Sequence, residues 1–266
     1  MKKIIVVDLD GTLLNSKKEI SKKSKEYLLK LKKLGYVIVI ATGRILASAL
    51  HATNDAKFAN FIISNGGAVL YDVKRKEILS SKTIPKEMIL KIWSTYDKTM
   101  STMRFCASDK IYMCGVVDDI FSVLLKNNEE LQKISSFIHH VSISFYQNED
   151  VTKYYQKIEQ TFPLRVGYMK DSKKDRYWIE IHPKNCSKYQ EIELLAKKLE
   201  IPNKNIIAFG DSLNDIEMLE KCGIGVAMKN AVLEAKEKAN FITKYTNEED
   251  GVVEFLKDYI EEEKKF

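Results

Sequence analysis

No stretch of this 266-residue chain stays apolar for long. The hydrophobic run after Met1-Lys2-Lys3 lasts from Ile4 to Val7 and then meets Asp8, too short for the core of a secretory leader. Nothing approaches the roughly 18 apolar residues of a membrane-spanning helix. Cysteine is scarce, and Cys106, Cys114, Cys186 and Cys222 form no C-x-x-C pair. Scattered, unpaired cysteines suit a reducing cytosol better than secretion. The Asn185-Cys186-Ser187 sequon is then a chance match, and the expected location is cytoplasmic. Arginine is scarce too: only five of the 43 basic residues. The lysines that dominate, such as Lys22, Lys25, Lys30 and Lys33, fall along a helical stretch and read as a solvated face rather than a nucleic-acid patch. Low-complexity linkers and internal repeats are missing.

What remains is a chain with a core. Hydrophobic residues make up 45% and aromatics 10%, enough to exclude disorder. At roughly 100–200 residues per domain, one large or two modest domains fit. A net charge of +6 favours small anionic substrates over cationic ones.

The first third alternates strand and helix. Strands are expected at Ile4–Val7, Tyr36–Ala41 and Phe61–Ser64, with helices at Lys22–Leu34 and Arg44–His51. Ala68–Tyr71 and Ile78–Ser80 read as a hairpin. From Thr83 to about Ser187 the strands turn more polar. A helix is expected at Pro85–Asp97, paired strands at Met103–Cys106 and Ile111–Gly115, and a helix at Asp118–Lys126. A strand at Ser142–Tyr146, a helix at Val151–Phe162 and strands at Leu164–Tyr168 and Tyr177–His182 follow. The opening pattern then returns: helix Lys188–Leu199, strand Asn205–Phe209, helix Asp215–Lys221, strand Ile224–Ala227, helix Val232–Ala239, strand Phe241–Thr243 and helix Val252–Ile260, with Glu261–Lys265 as a charged end. This predicts an α/β fold: a Rossmann-like parallel-sheet core of residues 1–82 and 188–266, split by an α+β insert of residues 83–187 able to cover the sheet edge as a cap.

Chemistry-bearing residues gather where strands end. Ile4–Val7 runs into Asp8-Leu9-Asp10-Gly11-Thr12, and ligands of open parallel sheets bind beyond the carboxyl ends of strands. Alternation points both carboxylates to the same side. At ~4 Å and an effective dielectric of ~20, two such charges repel by ~4 kcal/mol. The pair therefore asks for a divalent cation, and an all-oxygen site favours Mg²⁺. Thr42-Gly43-Arg44 follows the second strand and reads either as an anion site or as a helix cap. Lys188 reads as a phosphate-neutralising donor or as one more surface lysine, and Asn65-Gly66-Gly67 as a tight turn. Gly210-Asp211-Ser212-Leu213-Asn214-Asp215 ends another strand in a carboxylate, with a second one four residues on. The adjacent pair His139-His140 lacks an obvious third metal ligand.

In order, Asp-x-Asp-Gly-Thr, Thr, Lys and Gly-Asp-x-x-Asn-Asp, this set resembles the haloacid dehalogenase superfamily. Gly225–Ala231 and Asn247–Val252 resemble the tail of its Cof-type subgroup, which carries a type-IIB cap at the place of this insert. The resemblance implies a Mg²⁺-dependent phosphatase acting on small phosphorylated metabolites: sugar phosphates, flavin mononucleotide, pyridoxal phosphate or nucleotides. It implies Asp8 as nucleophile and Asp10 as general acid/base, the latter with a pKa raised so that it holds a proton when substrate is bound. It implies Mg²⁺ held by Asp8, the Asp10 backbone carbonyl and Asp211, braced by Asp215. Thr42, Gly43, Lys188 and Asn214 would hold the phosphoryl group. A sugar phosphomutase of the same superfamily and a phospho-acceptor signalling module are the alternatives. The expected partner is a small phosphorylated substrate, with no nucleic acid and no membrane, and the protein a monomer or small homo-oligomer. Arg104, Lys110 and Arg176 are candidate cap contacts. Two positions depart from the subgroup's glycines, Tyr189 and Lys229, and Tyr189 is expected to narrow the site.

Overall fold

The computed structural model describes residues 3–96, 100–115, 120–145, 148–171 and 176–263. Its first part runs β1 (Ile4–Val7), α1 (Lys22–Lys33), β2 (Val37–Ala41), α2 (Leu46–Thr53), β3 (Phe61–Ser64), β4 (Val69–Asp72) and β5 (Glu77–Ser81). The middle runs α3 (Lys86–Trp93), β6 (Met100–Cys106), β7 (Ile111–Gly115), β8 (Ser122–Leu124), α4 (Asn128–Ile134), β9 (His140–Phe145), α5 (Asn148–Thr161), β10 (Leu164–Asp171) and β11 (Arg176–Pro183). The last part runs α6 (Lys188–Lys198), β12 (Ile206–Gly210), α7 (Ile216–Lys221), β13 (Ile224–Ala227), α8 (Leu233–Lys238), β14 (Phe241–Ile242) and α9 (Gly251–Glu263).

Two sheets result. The first has the order β14-β13-β12-β1-β2-β3-β4-β5, parallel from β14 to β3 and closed by the antiparallel β4–β5 hairpin. The second has the order β10-β11-β9-β6-β7-β8, built wholly from the middle of the chain. Strand β1 shows why the first sheet is buried on both faces. Ile5 and Val7 pack into one apolar cluster and Ile4 and Val6 into another on the opposite side. A parallel strand covered on both faces reads as an unbroken apolar run rather than an alternating one. The second sheet closes its own cluster around Phe105, Ile143, Phe145 and Ile181.

Three expectations change. Helix α2 begins at Leu46, not Arg44. The Arg44 carbonyl accepts from Asn65 N at 2.7 Å and its amide donates to Thr42 Oγ1 at 3.1 Å, which holds residues 42–45 as a loop. Of the expected helix Asp118–Lys126, Asp118 and Asp119 lie outside the described residues, while Ser122–Leu124 is a strand parallel to β7. There an open sheet edge outweighs local propensity. Helix α4 was not expected, although Asn127 caps it by accepting from Glu130 N, a start signal present in the sequence. The ends of the expected elements at Asp97, at Tyr146 and at Lys264-Lys265 lie outside the described residues. No described helix is long and apolar enough to cross a membrane.

Candidate active site

Parallel pairing brings the functional strand ends together. Val7 pairs with Phe209, and Asp8 N donates to Phe209 O at 3.1 Å, so Asp8 and Asp211 leave neighbouring strands side by side. Lys188, the first residue of α6, is 2% exposed and is no surface lysine. Its Nζ donates to Asp8 Oδ1 at 2.8 Å, Asp215 Oδ1 at 2.6 Å and Asn214 Oδ1 at 3.4 Å. The Asn65-Gly66-Gly67 turn explains how α6 comes this close. A Cβ on Gly67 (φ +105°) would lie 2.2 Å from Ser187 O and 2.8 Å from Lys188 N. Glycine lets the two backbones touch there.

The carboxylates of Asp8, Asp211 and Asp215 offer oxygens within 4.8 Å of one another. Asp215 is fully buried and fully used: Oδ1 takes Lys188, and Oδ2 accepts from the backbone N–H groups of Asp211 and Ser212 at 3.0 Å each. It braces the turn instead of facing a ligand. Asp211 Oδ1 accepts from Thr12 Oγ1 at 2.8 Å. Burial pushes the Asp211 carboxyl up to about 6, with the Asp215 charge adding to it. Burial likewise raises the Asp8 carboxyl well above the usual range; Lys188 opposes this, and Asp215 and Asp211 reinforce it. Lys188 is held protonated, since the two aspartates outweigh the effect of burial. One ammonium among three carboxylates leaves an excess of negative charge, and hard oxygen donors of this kind suit a divalent cation.

The glycine after Asp10 is part of this cluster. Gly11 has φ +82°, and a Cβ there would fall 2.2 Å from Asp211 Oδ2. Gly11→Ala should therefore displace the Asp211 carboxylate. A divalent cation held by this cluster should then bind at least tenfold more weakly, read from a calorimetric titration with Mg²⁺.

Asp10 is ion-paired through both carboxylate oxygens. Arg44 grips it with Nε at 2.6 Å from Oδ2 and Nη2 at 2.8 Å from Oδ1, and Lys18 Nζ adds a third contact at 2.7 Å. Burial works to raise its pKa, but the Arg44 and Lys18 bonds and charges bring it down to about 2; the expected rise concerns the substrate-bound site. The crowded acidic group is thus Asp8 with Asp211 and Asp215, not Asp8 with Asp10. Neither Arg44, beyond its place in the Thr-Gly-Arg run, nor Lys18 or Thr12 had been given a role. Thr12 is the hydroxyl of the Asp-x-Asp-Gly-Thr run, while no spacing rule marks Lys18.

Thr42 is buried and its hydroxyl accepts from Arg44 N, so it closes a turn and does not cap a helix. Gly43 lies beside Asn214, whose Nδ2 would be 3.6 Å from a Cβ there. Gly43, Lys188 and Asn214 line one wall of a cavity of about 730 Å³. The opposite wall comes from the second sheet: Arg104, His140, Ser142, Arg165, Glu180 and His182. Of the expected cap contacts only Arg104 is brought there; Lys110 is exposed on the β6–β7 turn, and the side chain of Arg176 lies outside the described residues. Tyr189 faces away from the cavity, packed on an apolar cluster with Lys221 over its ring, so it does not narrow the site. Lys229 has no left-handed backbone that would demand glycine. His139 and His140 diverge: His139 Nδ1 meets Lys82 O at 2.8 Å, while His140 Nδ1 faces Asn65 Nδ2 at 3.5 Å.

A family model for haloacid dehalogenase-like hydrolases matches residues 5–256. A Bacillus subtilis protein named 5-amino-6-(5-phospho-D-ribitylamino)uracil phosphatase YcsE is 27% identical over 97% of this chain and 96% of its own length. Phosphatase YwpJ of the same organism is 28% identical over 96% of this chain and 99% of its own. A solved haloacid dehalogenase-like hydrolase from B. subtilis superposes with a TM-score of 0.84 at 25% identity, covering 96% of this chain and 99% of that one.

Proposed function

The chain belongs to the haloacid dehalogenase-like hydrolases, and from that premise we propose that it is a cytoplasmic, Mg²⁺-dependent phosphatase of small phosphorylated metabolites, working through an aspartyl-phosphate on Asp8. The supporting observation is the cluster of Asp8, Asp211 and Asp215, two of them bonded to Lys188, which itself lines a cavity of about 730 Å³. Relatives named as phosphatases along nearly their whole length support the same reading.

In this reading Asp8 attacks phosphorus. Its Oδ1 is held by Lys188, which fixes the carboxylate and leaves Oδ2 free of donors among the described residues. Carboxylates are competent nucleophiles toward phosphoryl groups. Lys188, the Gly43 N–H, Thr42 and the Asn214 amide hold the non-bridging oxygens and stabilise charge as the bond to the leaving group breaks. The Asp8 and Asp211 carboxylates and the Asp10 carbonyl would hold Mg²⁺, which supplies charge neutralisation between nucleophile and phosphate. Thr12 and Asp215 keep those ligands in place.

Asp10 is the proposed general acid and base. Its ionised state suits the second step, where it takes a proton from the attacking water. For the first step it must be protonated. A phosphate dianion competes with Asp10 for Arg44 and adds negative charge beside it, and both effects favour the protonated form. Residues 83–187 act as the cap that shields this chemistry from bulk water. The direct test is hydrolysis of p-nitrophenyl phosphate. Activity is expected with Mg²⁺ and should fall to background with a chelator; chelator-resistant turnover would refute the metal assignment.

A further inference from the structure

The chain crosses between the two sheets twice, from β5 to α3 and from β11 to α6. Lys82 marks the first crossing, and its polar groups are held from both sides. Its amide donates to Ala68 O, beside β4 of the first sheet, at 2.8 Å. Its carbonyl accepts from His139 Nδ1, just ahead of β9 of the second sheet, at 2.8 Å. Its Nζ donates to Glu191 Oε2 on α6 at 2.8 Å. Two residues on, Ile84 N already donates to Ile138 O on the side of the second sheet. The change from one body to the other therefore falls at Lys82 and Thr83.

Glu191 is the member of this group that needs explaining. It is 2% exposed, lies in the first turn of α6, and accepts from Ser80 Oγ at 2.6 Å as well as from Lys82. The chemistry at Asp8 makes no use of it. The Lys82 side chain is 28% exposed, so its ammonium has water within reach without this partner. Drawing a carboxylate out of water costs much of what the ion pair returns, and such a pair is weak evidence for a stabilising role. Its geometric effect is definite: it ties the first crossing to α6. The second crossing ends at the same place. Cys186 O accepts from Arg165 Nη1 of β10 at 2.9 Å, and Ser187 caps α6 by accepting from Gln190 N at 3.1 Å. Both crossings are thus anchored on the first turn of α6, one by the chain itself and one through Glu191. Lys188 opens that turn and is fixed separately by Asp8 and Asp215.

We propose that Glu191 is a positioning residue: through Lys82 it fixes the pivot of the second-sheet body relative to the first turn of α6, and so sets how that body closes over Lys188. This rests on the phosphatase reading of the Asp8 site, with residues 83–187 as its cap. Residues that absorb a closing motion sit at element ends, away from the chemistry, and govern turnover from there. Without the tie, Lys82 keeps its backbone bonds but loses its hold on α6, and the closed arrangement becomes a smaller share of the population. Lys188 keeps its own anchors, so the binding of phosphate alone is spared.

The test uses the full chain. Glu191→Leu combined with Lys82→Met removes the tie and strands no charge, so the double variant should melt near the wild type. Lys82→Met alone leaves a buried carboxylate unpaired and should melt roughly 5 °C lower. The four native cysteines are buried, so spin labels can be placed on Lys22→Cys of α1 and Lys133→Cys of α4 to report the distance between the two bodies by electron spin echo. In the double variant that distance distribution should be about twofold broader than in the wild type. Lys82→Arg keeps the ion pair and should keep the wild-type width. In the double variant kcat for p-nitrophenyl phosphate with Mg²⁺ should fall about tenfold, while the inhibition constant of inorganic phosphate stays within about twofold. Glu191→Gln keeps the Ser80 bond and loses the charge; it should show the same changes at smaller size, and it carries the test where the double variant does not fold. An unchanged distance distribution, broadening in Lys82→Arg as well, or equal losses in kcat and phosphate affinity would overturn the proposal. A wild type that hydrolyses no ester would count against the phosphatase reading alone, and the distance measurement then still decides the pivot.

Discussion

Asp8→Asn should lower kcat for p-nitrophenyl phosphate with Mg²⁺ by at least about 10⁵-fold, to the background of the assay. Losing a nucleophile costs on this order when the remaining groups only bind and orient. The substitution is nearly isosteric, and Lys188 keeps its 2.6 Å bond to Asp215. It also removes a strained charge. The folded-state pKa of Asp8 is raised, mainly by burial, so the folded chain binds this proton more tightly than the unfolded chain does. Over the window above the unfolded value near 3.8, stability therefore declines as pH rises. Asn imitates the protonated form and escapes that decline. The metal-free variant should melt no lower than the wild type at pH 8, so lost activity cannot be ascribed to unfolding. Full activity in Asp8→Asn would remove the nucleophile from the account.

Lys188→Met should have the second largest effect, on both activity and stability. The ammonium is 2% exposed and sits between Asp8 and Asp215, themselves almost sealed from water. Breaking a buried ion pair by deleting one partner typically costs about 3–5 kcal/mol. For a chain of this size that corresponds to a melting temperature lower by roughly 6–20 °C. The loss should be greater at pH 8 than at pH 5, because the raised carboxyls of Asp8 and Asp211 can take up protons at the lower pH and relieve the repulsion. Mg²⁺ should restore part of the stability by replacing the missing charge. kcat/KM should fall at least about 10³-fold, through lost positioning of Asp8 and lost charge stabilisation. A variant as stable as the wild type at pH 8 without metal would show that Lys188 does not hold the acidic cluster together.

The parts of this site that were legible in the sequence are those that sit at strand ends. Asp8, Thr42 and Asp211 each follow a buried apolar run, and parallel pairing then places them at one sheet edge without further information. Lys188 was ambiguous on its own, because nothing local distinguishes it from other lysines; only the close approach allowed by Gly67 buries it. The ion pairing of Asp10 could not be read from the sequence, because it depends on Lys18 in a loop and Arg44 beyond another strand end. Glu180, Ser142 and His182 were invisible for a related reason. They lie on two antiparallel strands of polar character, and only the register of β9 against β11 turns them toward one cavity. Strand β8 shows the same limit at the level of fold. Its residues carry no strong preference, and the edge of β7 decides them.

Beryllofluoride binding gives the most direct test of the central claim, since it copies a phosphoryl group on an aspartate without turnover. With Mg²⁺ present, the fluorine NMR spectrum of the wild type should show protein-bound resonances that vanish on chelation and are absent from Asp8→Asn. Bound resonances that persist without metal or survive in Asp8→Asn would contradict a metal-assisted aspartyl-phosphate at Asp8.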